Sequence, residues 1–120
     1  MISASDVLQI ISEIHQFSML LVEMKQPATF GILHSGNEKI NYFKFEGRLE
    51  PHERRKLVQR ISSGEIPESL HVLQVEQFLR EIEGKRAKHI WLETGGTERK
   101  ELVFLSISEL KAFFRSHSRR

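Results

Sequence analysis

Ile40-Asn41-Tyr42-Phe43-Lys44-Phe45-Glu46-Gly47 is rich in aromatic and β-branched side chains, a composition that favours an extended strand. Neighbouring side chains of a strand point to opposite faces, so Ile40 and Tyr42 project one way and Phe43 and Phe45 the other. A strand that is apolar on both sides needs cover on both sides. Gly47 ends the run.

Working back from this segment, Thr29-Phe30-Gly31-Ile32-Leu33-His34 predicts a second strand. The two would join through a hairpin loop at Ser35-Gly36-Asn37-Glu38, where Gly and Asn supply positive backbone angles. Pro27 disfavours helix and marks a turn. Before it, residues 17–24 contain the unbroken apolar run Met19-Leu20-Leu21-Val22, which suits either a buried strand or a helix continuing to Glu23. Val7, Ile10, Ile11 and Ile14 recur at helical spacing behind Ser3 or Ser5 as cap, with Asp6 in the first turn. The first half therefore predicts a helix followed by a three-stranded antiparallel meander.

Working forward, Pro51 opens a helix whose narrow stripe is Leu57, Val58 and Ile61, closed by Ser62-Ser63-Gly64. After the Ile66-Pro67 link, Val72, Val75, Phe78, Leu79 and Ile82 predict a third helix over about Val72 to Glu83, stopped by Gly84. Ile90-Trp91-Leu92 and Leu102-Val103-Phe104-Leu105 flank Thr94-Gly95-Gly96-Thr97, a hairpin pattern. Ser106 and Glu109 have capping-box spacing ahead of a last helix carrying Ile107, Leu110, Phe113 and Phe114. Residues 116–120 are expected to fray. The order αβββααββα predicts a single α+β domain over residues 1–120, with an antiparallel sheet of about five strands.

Composition narrows the chemistry. The 120 residues are 39% hydrophobic and 28% charged, as in ordinary globular proteins. Cysteine is absent, which excludes disulfides, thiolate metal sites and a thiol nucleophile. No basic leader precedes an apolar run, and Met19 to Val22 falls far short of a membrane span, so a cytoplasmic location and no membrane partner are expected.

The Gly-x4-Gly spacing of Gly31 and Gly36 supplies half of a phosphate-binding loop motif, but Asn37-Glu38 stand where Lys and Ser or Thr are required. Gly95-Gly96, flanked by threonines and followed by Arg99-Lys100, is a candidate anion nest that reads first as a tight turn. The histidines at 15, 34, 52, 71, 89 and 117 form no paired metal motif, and Asp6 is the sole aspartate. These patterns point to no catalytic residue, no metal and no cofactor.

Eighteen Lys and Arg face sixteen acids, a net charge of +2. Residues 1–47 carry −2 and residues 48–120 carry +4. Basic side chains cluster at Arg48, Arg54, Arg55, Lys56 and Arg60, again at Lys85, Arg86 and Lys88, and near the end at Arg115, Arg119 and Arg120. Convergence of the first two clusters on one face would suit nucleic acid. Glu50, Glu53, Glu65, Glu81 and Glu83 are interspersed among them and dilute the field.

Over residues 5–49, the helix, the meander and the ending Phe45-Glu46-Gly47-Arg48-Leu49 are similar to domains found in bacterial signalling and motility proteins. That likeness assigns no residue a role. The leading expectation from the residues themselves is a non-enzymatic interaction or regulatory module. It would meet a protein partner or a second copy through an apolar sheet face, with Tyr42, Phe43, Phe45 and Trp91 as contact residues. The alternative is nucleic-acid binding by Arg48, Arg54, Arg55, Lys56, Arg60, Lys85, Arg86 and Lys88.

Overall fold

A computed structural model of the chain describes residues 1–14, 17–25, 28–34, 39–47, 49–94, 101–104 and 106–117. The elements are α1 (Ala4–Glu13), β1 (Phe17–Met24), β2 (Ala28–His34), β3 (Ile40–Glu46), α2 (Pro51–Ser62), β4 (Leu70–Leu73), α3 (Val75–Ile82), β5 (Ala87–Thr94), β6 (Glu101–Phe104) and α4 (Ile107–His117). The fold is α+β, as the order of patterns predicts. Its sheet has six strands, one more than expected, in the order β4-β3-β2-β1-β5-β6 with every neighbouring pair antiparallel.

The open choice at residues 17–24 resolves as strand. β1 lies inside the sheet, paired with β2 on one side and β5 on the other, so its apolar run is buried on both faces. The predicted meander β1-β2-β3 forms in full. The extra strand corrects the third-helix prediction. Val72 belongs to β4, and the helix begins only at Val75, with Gln74 at its N-cap position. In an extended chain, Leu70 and Leu73 face opposite ways; each is buried in a different core.

α1 starts at Ser3. Its Oγ accepts from the Asp6 N–H at 3.1 Å, and the Asp6 carboxylate accepts from the Ser3 N–H at 3.2 Å. α2 begins at Pro51 and is followed by Gly64 at φ 92°, a left-handed conformation that glycine adopts without strain. α4 is helical through His117, and the Ser116 Oγ donates to the Phe113 carbonyl at 2.9 Å. The expected loops at 35–38 and 95–100, Arg48, Leu105 and residues 118–120 lie outside the described residues.

Register sets which side chains share a face. One row crosses all six strands: Val72, Phe43, Gly31, Leu21, Trp91 and Val103. The two faces are clothed unequally. The first carries Leu20, Val22, Phe30, Ile32, Ile90 and Leu92 against α1, α3 and α4. On the second, Met19, Leu21, Leu33, Phe43, Phe45, Leu70 and Trp91 pack against Leu57 and Ile61 of α2 and against Leu49 just before it.

Candidate functional site

The second face is unusual in what it buries. The core residues with polar side chains among those described are Glu23, Thr29, Arg54 and Glu93, and the three from the sheet share this face by register. Arg54 reaches down from α2 and lays its guanidinium 4.2 Å from the centre of the Trp91 ring, while Nη1 donates to the Leu49 carbonyl at 3.3 Å. A planar cation over an indole face is attracted by the ring quadrupole, and its hydrocarbon stem adds apolar contact. Beside it, His89 stands 5.4 Å from the Trp91 ring, with Nδ1 3.1 Å from Glu23 Oε1. Thr29 donates its hydroxyl to the Gly47 carbonyl at 3.2 Å.

This arrangement relocates the expected contact residues. Phe43, Phe45 and Trp91 are core side chains beneath α2, where a partner cannot reach them in this conformation. Tyr42 is half-buried on the first face, its ring 5.2 Å from that of Phe78 in α3. The sheet's apolar aromatic surface is thus covered by the chain's own helices. What remains open is at the sheet margins. Val72 on β4 and Val103 on β6 are each 54% exposed, and Ile66 ahead of β4 is 56% exposed. None of these three was singled out from sequence. Val72 was placed on a helix face, and a lone exposed apolar residue carries no sequence signature.

The basic residues separate into two groups that do not converge. Arg55, Lys56 and Arg60 lie exposed on α2, over the second face, whereas Arg54 from the same run is buried on Trp91. Arg60 is held by Glu65 at 2.9 Å. Lys85 and Arg86 are exposed and Lys88 half-buried at the start of β5. Arg86 and Lys88 open onto a cavity of about 570 Å³ bounded by Ile2, Asp6, Ile107 and Lys111, where α1 and α4 cover the first face.

No family model, curated protein or solved structure matches the chain. Function must therefore be read from geometry. Among the described residues, no three His, Cys, Asp or Glu side chains are grouped to hold a metal ion. None of their helices is long and apolar enough to cross a membrane.

Proposed function

We infer that the chain is a binding module that acts by associating with a second copy of itself through the open margin of its sheet at β4. The observation that carries this reading is the state of that margin. β4 ends the strand order, so one of its backbone edges has no sheet partner among the described residues. Proteins guard such edges by keeping the strand short, as the four residues of β4 are, or with lysine, proline or a bulge. Leu70-His71-Val72-Leu73 contains neither residue and pairs with β3 in unbroken register, while Val72 and Ile66 lie exposed beside it. The opposite margin, β6, begins with the charged Glu101.

Antiparallel pairing of β4 with its copy about a two-fold axis is self-complementary and continues the sheet's own antiparallel order. It also brings the two Val72 side chains towards one another. The apolar second face thus contributes through its edge, since α2 already occupies its centre.

Sedimentation equilibrium at several concentrations tests this, comparing the native chain with Val72→Lys. A native dimer that the lysine converts to a folded monomer supports the reading. A native chain that stays monomeric at every concentration rejects it.

Nucleic-acid binding is less well supported, because Arg54 is buried, Arg60 is engaged by Glu65, and the two basic groups lie on opposite sides of the sheet. Its signature would be an affinity for duplex DNA that falls steeply with salt.

A further inference from the structure

The cavity between α1, α4 and the start of β5 has an unbalanced charge. Lys25, Arg86, Lys88 and Lys111 line it, against the single carboxylate of Asp6. Asp6 is already committed. It forms an ion pair with Lys111 and accepts from the Ser3 N–H in the α1 cap. The Lys111 contact is the main reason its carboxyl is held below the ordinary 3.8, so it stays ionised and neutralises that lysine. Lys25, Arg86 and Lys88 make no side-chain ion pair or hydrogen bond among the described residues. Three cations without a protein counter-charge around one concavity give it a positive potential that an anionic ligand would neutralise.

The backbone builds this concentration of charge. Glu23 pairs with His89 and Met24 with Ala87, so Lys88 is the extra residue of a β-bulge, a device that re-aims a side chain. The Lys25 N–H donates to the Arg86 carbonyl at 3.1 Å, which holds these two cationic residues at the same level of the sheet. The Ile2 N–H donates to the Lys85 carbonyl at 3.0 Å, fixing the wall that Ile2 contributes. The first turn of α4, at Ile107 and Ser108, borders the same space and adds positive potential to a field that the side chains already set.

A second cavity, of about 330 Å³, adjoins the first and shares Lys25 and Arg86 with it. It is lined also by Lys85 and the edge of the buried Met24, and the hydrocarbon stems of Lys25, Lys85 and Arg86 supply apolar contact there. A charged chamber next to a greasier one suits a ligand with a compact polyanionic end and a flat organic body. We propose that this paired cavity binds a small organic polyphosphate of the nucleoside di- or triphosphate class. The phosphates lie among Arg86, Lys88 and Lys25, and the organic part rests in the second cavity against the stems of Lys85 and Arg86. This site lies away from the β4 margin and does not depend on self-association.

Isothermal titration with ATP and with inorganic tripolyphosphate, both free of magnesium, tests the proposal on three proteins. These are the native chain, Arg86→Ala/Lys88→Ala, and the control Arg55→Ala/Lys56→Ala on the opposite side of the sheet. The native chain is expected to bind both probes, ATP more tightly. The Arg86/Lys88 variant should lose roughly tenfold or more in affinity, as expected for lost charge-assisted contacts, with an unchanged far-ultraviolet spectrum. The control should bind like the native chain. Equal affinity for the two probes would overturn the role of the second cavity. No binding of either probe at low salt would overturn the site, as would an Arg86/Lys88 variant that binds as the native chain does. An equal loss in the control would assign the binding to overall charge and overturn it too.

Discussion

The Arg54 guanidinium lies 4.2 Å from the centre of the Trp91 ring, so a cation from α2 caps the only tryptophan in the sequence. Both residues are buried, which means solvent does not dilute the attraction. Arg54→Ala should lower unfolding free energy by about 1–3 kcal/mol, through lost stacking, lost stem packing and an unfilled Leu49 carbonyl. Arg54→Lys keeps the charge without the planar face and should fall between the two. Urea denaturation followed by Trp91 emission reads both effects, with the native emission of the alanine variant shifted to the red. An unchanged midpoint would mean that α2 is held without this contact.

Gly31 occupies the middle of the row that crosses the sheet, where a side chain has no room. A Cβ there would stand 2.8 Å from Leu21 Cδ2 and 3.5 Å from Phe45 Cε2. Gly31→Ala should therefore destabilise by about 1–3 kcal/mol through overpacking. Leu21→Ala alone should cost about 2–5 kcal/mol by leaving a cavity. Combined, the two should cost less than the sum of the single effects, because the truncated Leu21 makes space for the new methyl group. Strict additivity in thermal unfolding would show that the strain is relieved elsewhere.

The same row shows what pattern reading can and cannot recover. β2 and β3 were legible because each is seven residues long and dense in apolar side chains, whereas the unbroken apolar run of β1 fits a strand or a helix until its pairing is seen. β4 was not legible. Four residues give barely two alternations, and the three-residue spacing from Leu70 to Leu73 mimics a helical repeat. Its meaning depends on two cores, one on either side, that exist only once the sheet has formed. Arg54 looked like one cation in a basic run, since nothing local reveals that Trp91 lies beneath it. The cavity residues Lys25, Arg86 and Lys111 are scattered along the chain and meet through the pairing of β1 with β5 and the packing of α1 against α4. Lys85, Arg86 and Lys88 were visible as a cluster, whereas Lys25 and Lys111 were not.

Asp6 and Glu81 set an acid limit on stability. The Asp6 carboxyl is held below 3.8 chiefly by its hydrogen bond to Lys111, and that of Glu81 below 4.5 chiefly by its hydrogen bond to Lys44. For a carboxyl whose folded pKa is depressed, the folded state releases the proton more readily than the unfolded chain. The stabilisation is then fully present above the unfolded value and is lost as pH falls through the folded one. Urea midpoints should drop as pH is lowered below about 4.5. Asp6→Asn should flatten the lower part of that drop, and Glu81→Gln the upper part. A pair of variants with the native pH slope would show that neither contact persists in solution.

Tyr42 is the sole tyrosine, so its ionisation can be followed directly by ultraviolet absorbance. Burial beside Phe78 is the main cause that raises its phenol above the ordinary 10.0, and the negative charge of Glu76 adds to it. The titration midpoint should therefore lie above 10.0 in the folded protein. The folded state holds this proton more tightly than the unfolded chain, so the linked stabilisation is complete below the unfolded value and disappears as pH rises through the folded one. Glu76→Gln should lower the midpoint part of the way, because desolvation remains. Phe78→Leu, which thins the aromatic cover while keeping an apolar side chain, should lower it as well. With circular dichroism confirming that the fold persists, a native midpoint at the ordinary value would place the phenol in water and refute the packing of β3 against α3 at this position.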